Sequence, residues 1–128
     1  MEPLIIAASD ETPGINFDKD LGKFLMFGKS FPEEVMRFFD PILFWLQEYE
    51  ENPNEETKFE IRLEYFNSAT STMLLEVIYC LDRIIKDKGK KVTIIWNYLE
   101  DDDDMLEVGK EYAEMVEIPF EFYEIADY

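Results

Sequence analysis

The chain has 128 residues, 47% hydrophobic and 16% aromatic, so it is expected to bury a core and to form a single domain over residues 1–128. Its 30 acidic and 12 basic side chains give a net charge of −18, which argues against nucleic acid and anionic membranes as partners. The absence of histidine and the single cysteine exclude His-dependent nucleophilic catalysis, ordinary zinc sites and an intrachain disulfide.

The first predicted elements are two short strands that form a hairpin. Thr12-Pro13-Gly14 has the composition of a turn, and the strands are expected at Ile15–Phe17 and Lys23–Phe27.

A first helix is predicted after Ser30, whose side chain and that of Glu33 have the spacing of a capping box. Pro41 lacks a backbone donor, so a kink or break is expected near Asp40. Met36 and Phe44 lie off the apolar stripe, and we expect them to pack under the hairpin rather than to form a partner surface. The stripe itself has helical spacing and consists of Val35, Phe38, Phe39, Ile42, Trp45, Leu46 and Tyr49.

The middle of the chain predicts a strand and then a second helix. Thr57–Phe66 alternates apolar and polar residues, which indicates a strand with one buried face. The helix is expected from about Thr70 to Lys88, closed by Gly89. Its core face would consist of Met73, Leu74, Val77, Ile78, Cys80, Leu81, Ile84 and Ile85. The buried positions of the strand would be Phe59, Ile61, Leu63 and Tyr65.

The last predicted elements are a strand at Lys91–Tyr98, a helix that starts at Asp101–Asp104, and a strand at Phe120–Ile125 after Pro119. Negative charge at the start of the third helix complements its dipole. The buried stripe of that helix is expected to be Met105, Val108, Tyr112, Met115 and Val116.

This order predicts an α/β fold with a mixed sheet of about five strands. An N-terminal antiparallel hairpin is followed by β-α-β-α-β, and the charged face of Thr57–Phe66 indicates that the helices lie mainly on one face.

The segment Asn67-Ser68-Ala69-Thr70-Ser71-Thr72 contains five residues that can cap a helix, although one is sufficient. Plain capping and a functional role are both compatible with it. Leu75 and Tyr79 fall outside the core stripe and share a face with Ser68 and Thr72. That face is predicted either to contact a neighbouring helix or to be a docking surface with a hydroxyl at its edge. A phosphate there would meet the positive end of the helix and would block docking through charge and desolvation.

Several segments resemble the SiaC family of bacterial regulatory phosphoproteins. The strand-to-helix run from Leu63 to Ser71 carries the resemblance most clearly. Further matching segments are Thr12-Pro13, Phe31-Pro32-Glu33, Val92–Tyr98 with Trp96 and Tyr98, and Ile118-Pro119-Phe120.

The resemblance implies a fold like the STAS domains of anti-anti-sigma proteins and no enzymatic activity or cofactor. It also implies three partners: a serine/threonine kinase, a metal-dependent phosphatase and a diguanylate cyclase. The unphosphorylated form would activate the cyclase, which links the chain to biofilm signalling through c-di-GMP. The family's acceptor, typically Thr, follows the Asn directly, which corresponds to Ser68. Thr70 and Ser71 are alternative acceptors, and Asn67, Thr72, Leu75 and Tyr79 form the expected partner-binding face.

Two other functions stay open at this stage. The hydroxyl run could act only as a cap in a constitutive interaction domain, with the Ser68 oxygen bonded to the amide of Thr70 or Ser71. An enzyme could instead use Glu60, Glu64 and Asp101–Asp104, with or without a metal, provided that these carboxylates converge in one pocket. Isolated surface charge is the simpler interpretation of these acids. With one cysteine, Cys80, no secretory signal and no apolar span, the cytoplasm is the expected location.

Overall fold

The structure, a computed structural model, describes all residues from Met1 to Tyr128 and consists of six strands and three helices. The strands form one sheet in sequence order. The first three strands pair antiparallel with one another, and the third to the sixth strands pair in parallel. The strands are β1 (Leu4–Ile6), β2 (Gly14–Asp18), β3 (Lys23–Ser30), β4 (Glu56–Phe66), β5 (Lys91–Leu99) and β6 (Phe120–Ile125). The helices are α1 (Val35–Glu51), α2 (Ser68–Lys88) and α3 (Asp103–Met115).

The predicted fold class is confirmed, with one strand more than expected. The extra strand, β1, is the apolar triplet Leu4–Ile6, which pairs with β2. A run of three residues is too short to show the alternation that identifies a strand, so β1 is recognised only from its hydrogen bonds to β2 in the structure.

The order of the parallel strands places the helices on one face of the sheet. Each of α1, α2 and α3 connects two adjacent parallel strands, and right-handed connections that all proceed in the same direction cover the same face. One core of 25 buried residues fills the space between the sheet and the helices. Alternate residues of β4 belong to it, whereas Lys58 on the same strand is exposed. None of the three helices combines the length and the apolar composition that a membrane span requires.

The apolar stripes of α1 and α2 are confirmed, but the predictions of a cap at Ser30, of a break near Asp40 and of packing by Met36 and Phe44 are wrong. Ser30 does not cap this helix, because it is the last residue of β3 and its hydroxyl is buried against Thr70. The helix is not broken near Asp40. Pro41 is exposed, so the backbone acceptor that it leaves unpaired is on the solvent side. Met36 and Phe44 do not pack under the hairpin and are 59% and 63% exposed.

A bulge near the end of β4 corrects the prediction for Tyr65. Gly28 pairs with Leu63, and Lys29 pairs with Tyr65, so Glu64 is an additional residue in β4. This extra residue turns Tyr65 away from the core, and its side chain is 52% exposed. Gly28 has φ of 100°, which explains why glycine occupies this position of the bulge.

The boundaries of α2 and α3 agree closely with the predictions. Gly89 closes α2 with φ of 66°, as expected for a left-handed C-cap, and α2 begins two residues earlier than predicted. Asp102 caps α3 by accepting a hydrogen bond from the Met105 amide at 3.0 Å. Met115 is 55% exposed, which contradicts its predicted place in the buried stripe.

Candidate functional site

The start of α2 lies where the carboxyl ends of β3 and β4 meet. Asn67 caps the helix, and its side-chain oxygen accepts a hydrogen bond from the Thr70 amide at 3.0 Å. The Asn67 amide donates to the Ser30 carbonyl at 3.1 Å, which ties the cap to the end of β3. A single asparagine therefore supplies the side-chain cap, and the neighbouring hydroxyls are not needed for it.

Thr70 is an anchor beneath the helix start. Its side chain is fully buried, and its hydroxyl lies 3.1 Å from the Ser30 carbonyl oxygen and 2.9 Å from the Ser30 hydroxyl. Because both partners belong to β3, this contact fixes the first turn of α2 against the sheet. A buried hydroxyl with two such partners is costly to displace.

Ser71 is engaged by the third helix. The Tyr112 hydroxyl donates to the Ser71 carbonyl oxygen at 2.8 Å and lies 3.2 Å from the Ser71 side-chain oxygen. Burial raises the pKa of Tyr112, so its phenol stays protonated and available as a donor. The contact joins the first turn of α2 to α3.

Ser68 differs from both neighbours. Its side chain is exposed, and its hydroxyl makes no hydrogen bond within the chain. The Thr70 amide bonds the Asn67 side chain, and the Ser71 amide bonds the Asn67 carbonyl, so neither is tied to the Ser68 hydroxyl. The amides of Ser68 and Ala69 belong to the first turn, which has no acceptor within the helix. The condition for a purely capping Ser68 is therefore not met.

The helix start opens onto a cleft of about 390 Å³ between α2 and α3. Five of the seven residues predicted for the site line the cleft, all on its α2 side: Asn67, Ser68, Ser71, Thr72 and Leu75. Thr70 is buried beneath the helix start, and Tyr79, which is 36% exposed, lies one turn beyond Leu75 and outside the lining. The remaining lining residues are Phe66, Val108, Glu111, Tyr112 and Met115.

The wall formed by α3 could not be assigned from the sequence. Val108, Tyr112 and Met115 have helical spacing, which identifies a shared face but not the helix that it meets. The lining contains no lysine or arginine, and Glu111 is its acidic member. The cleft therefore combines apolar walls with hydroxyls and one carboxylate.

The carboxylates considered for catalysis do not converge. No group of three or more Cys, Asp or Glu side chains is arranged to hold a metal ion. Glu60 is bonded to Asn97 at 2.8 Å and paired with Arg62 at 3.3 Å on the face of the sheet opposite the helices. Asp102 instead caps α3. Glu64 lines a different cleft, whose lining includes none of the other candidate carboxylates.

Comparisons with known proteins agree with this architecture. Residues 6–125 match the model of the SiaC family of regulatory phosphoproteins. An uncharacterized protein of Pseudomonas aeruginosa (strain UCBPP-PA14) is 24% identical over 120 residues, covering 94% of each chain.

Solved structures of similar fold include SiaC of Pseudomonas aeruginosa, with a TM-score of 0.85, 23% identity and coverage of 96% of this chain and 100% of that chain. A second is the crystal structure of the diguanylate cyclase SiaD in complex with its activator SiaC, also from Pseudomonas aeruginosa. It matches with a TM-score of 0.87, 23% identity and coverage of 95% and 99%. The family match spans nearly the whole chain, and the chain belongs to the SiaC family of regulatory phosphoproteins.

Proposed function

We propose that this chain is a non-enzymatic binding module whose affinity for a protein partner is switched by a phosphate on Ser68. The observation that carries the proposal is the free, exposed hydroxyl of Ser68 at the mouth of the α2–α3 cleft. Thr70 and Ser71, the alternative acceptors, have hydroxyls that are respectively buried against Ser30 and close to Tyr112. A kinase would have to unfold the helix start to reach Thr70, whereas Ser68 is accessible in the folded chain.

The chemistry of the cleft explains how a phosphate would act. It would add about −1.5 to −2 charges at neutral pH beside an apolar surface. The free amides of Ser68 and Ala69 and the helix dipole lower the cost of that charge for the folded chain. The lining has no basic residue to neutralise it, and Glu111 is on the same surface. The phosphate would therefore oppose docking by repulsion and desolvation, without a change of fold.

The docking surface in this proposal is the exposed ridge of α2 together with the facing wall of α3. Thr72 and Leu75 contribute the α2 side, Met115 extends the apolar area on the α3 side, and Tyr79 continues the ridge beyond the cleft. Asn67 holds the acceptor loop in place through its cap. No cofactor is needed for this function.

The SiaC family match and the solved complex of SiaD with its activator SiaC support a cyclase as the partner. We propose that the unphosphorylated chain binds a diguanylate cyclase in the cytoplasm and thereby acts in c-di-GMP signalling that controls biofilm formation. A serine/threonine kinase would add the phosphate, and a metal-dependent phosphatase would remove it.

The first experiment locates the phosphate. Intact-mass and peptide-mapping spectrometry of the protein from its native cells, with and without phosphatase treatment, is expected to place one removable phosphate on Ser68. A phosphate on Thr70 or Ser71 instead would keep the switch and move the acceptor. No phosphate under several growth conditions would contradict the switch and favour a constitutive interaction domain.

The second experiment measures the effect of charge on binding to the cognate cyclase. Ser68→Asp is expected to bind at least ~10-fold more weakly than Ser68→Ala, equivalent to about 1.4 kcal/mol. Ala69→Asp is the matched control, because it adds the same charge to the same helical turn but lies outside the cleft lining. Equal affinities for Ser68→Asp and wild type would contradict the electrostatic block, and equal losses for both Asp variants would indicate an effect of net charge alone.

A further inference from the structure

No helix or strand covers the face of the sheet opposite the helices, and only the loop at residues 8–10 and Tyr128 border one end of it. We call it the open face and define it by the strand residues that point away from the core. These residues are Ile5, Asn16, Asp18, Lys23, Leu25, Phe27, Lys29, Glu56, Lys58, Glu60, Arg62, Glu64, Tyr65, Lys91, Thr93, Ile95, Asn97, Leu99, Glu121, Tyr123 and Ile125.

The open face is electrically neutral, unlike the rest of the molecule. Its basic side chains are matched in number by acidic ones, so the net charge of −18 is carried entirely by the remaining surface. Acidic and basic residues are opposite one another in the strand register, Asp18 with Lys23 and Glu56 with Lys91. The basic members are Lys23, Lys29, Lys58, Arg62 and Lys91, and the acidic ones are Asp18, Glu56, Glu60, Glu64 and Glu121.

The open face also carries apolar area between these charges. Leu25 and Ile95 flank Glu60 in the same cross-strand row, and both are half-buried. Ile5 lies in the same row at the β1 edge and is 62% exposed, and Tyr123 lies opposite Asn97 in the next row at the β6 edge and is 49% exposed. Glu60 is bonded to Asn97 and paired with Arg62 within the chain, whereas Arg62 Nε is buried without a partner. Covering this face therefore requires a partner surface that supplies charges of both signs to the other ionised side chains.

We propose that the open face is the surface through which two copies of this chain associate. Two molecules that each carry −18 repel one another wherever their acidic surfaces approach, and the open face is a large area free of that repulsion. A two-fold arrangement places the same patch on both copies, and a patch of mixed charge is complementary to itself. A strongly cationic partner would instead be attracted to the acidic helix side.

The size of the open face is sufficient for a specific dimer. Six strands spaced about 4.8 Å apart span about 24 Å, and their mean length of about seven residues is about 23 Å, which gives a face of about 550 Å². Two copies would together bury about 1,100 Å², which exceeds the ~1,000 Å² expected of a specific interface. The α2–α3 cleft lies in the helical layer on the other side of the sheet, so both copies would keep it accessible. This inference does not depend on the phosphorylation of Ser68.

Salt distinguishes this association from the binding of a cationic partner. Sedimentation equilibrium of the whole chain at low and high NaCl is expected to show a monomer–dimer equilibrium that tightens as salt is added, because salt screens the repulsion between the two acidic bodies. A chain that stays monomeric at every salt concentration up to millimolar protein would overturn the proposal. Association that weakens with salt would also overturn it.

Charge substitutions locate the interface. Ile95→Lys and Tyr123→Lys on the open face are each expected to weaken dimerisation at least ~10-fold, because each buries an additional charge in the interface. Phe44→Lys is the matched control, since it makes the same charge change at an exposed aromatic residue of α1, on the helix side. Tyr123 is half exposed, so its variant decides the question if Ile95→Lys impairs folding. Dimerisation that is lost in Phe44→Lys and kept in Tyr123→Lys would overturn the assignment.

Discussion

At the scale of single residues, chemically similar side chains in one segment have different tasks because their surroundings differ. Asn67 is the cap, Thr70 is buried against β3, and Ser71 is held by Tyr112. Ser68 is exposed and makes no bond through its hydroxyl. The tertiary contacts thus leave one of these residues available to an external enzyme.

This division of tasks has a measurable consequence for stability. Asn67→Ala is expected to lower the free energy of unfolding by about 1 kcal/mol, because it removes the cap of α2. Ser68→Ala, which changes an exposed and unbonded hydroxyl, is expected to change it by less than about 0.5 kcal/mol. Urea denaturation of the two variants beside wild type measures both values. A loss in Ser68→Ala as large as that in Asn67→Ala would mean that Ser68 contributes to the cap.

At the scale of elements, the position of α3 determines the shape of the cleft. This position depends on how closely α3 packs against β5. The Trp96 indole donates to the Met105 carbonyl at 3.0 Å, and the ring lies directly beneath Gly109. A Cβ at residue 109 would be 2.7 Å from Trp96 Nε1, which is closer than the two atoms can approach. The absence of a side chain at Gly109 is therefore what allows α3 to pack at this distance.

Gly109→Ala tests the packing of α3. Alanine is the better helix former by about 1 kcal/mol, yet the clash with Trp96 is expected to give a net loss of about 1–3 kcal/mol in the free energy of unfolding. Lys110→Ala, an exposed position of the same helix, is the control and is expected to be nearly neutral. Chemical denaturation measures both variants. A Gly109→Ala protein as stable as wild type would show that α3 can shift away from Trp96 without a loss in the free energy of unfolding.

At the scale of the whole molecule, the charge distribution is as informative as the fold. The net charge of −18 is carried by the helix side and the loops, since the open face is balanced. All 12 basic side chains are already counted in this net charge, and ion pairs such as Arg83 with Glu50 at 2.7 Å relieve repulsion only locally. Repulsion between the remaining acidic groups opposes the compact state.

The melting temperature should therefore rise with ionic strength. Between about 20 mM and 300 mM NaCl, screening is expected to reduce the repulsion more than it weakens the exposed ion pairs. Differential scanning calorimetry on the Tyr123→Lys variant separates this effect from that of dimerisation. A melting temperature that falls on addition of salt would show that local ion pairs outweigh the overall repulsion.

The sequence by itself determined the class of the fold, most element boundaries and the α2 side of the site. These features depend on local periodicity and on residues such as Gly89 and Pro119, whose backbone chemistry acts at short range. The family resemblance was likewise visible in short segments, and the family model confirmed it over residues 6–125.

Only the tertiary structure decided which residues each of these side chains contacts. Ser30 has the spacing of a capping residue for α1, but its hydroxyl bonds Thr70 of α2, because the fold buries the two hydroxyls side by side. Tyr65 keeps the alternation of a strand until one extra residue in β4 reverses its direction. The α3 wall of the cleft and the neutral open face arise from residues far apart in the chain. Local sequence patterns specify a side chain's direction within its element, and only the packing of elements fixes what that side chain contacts.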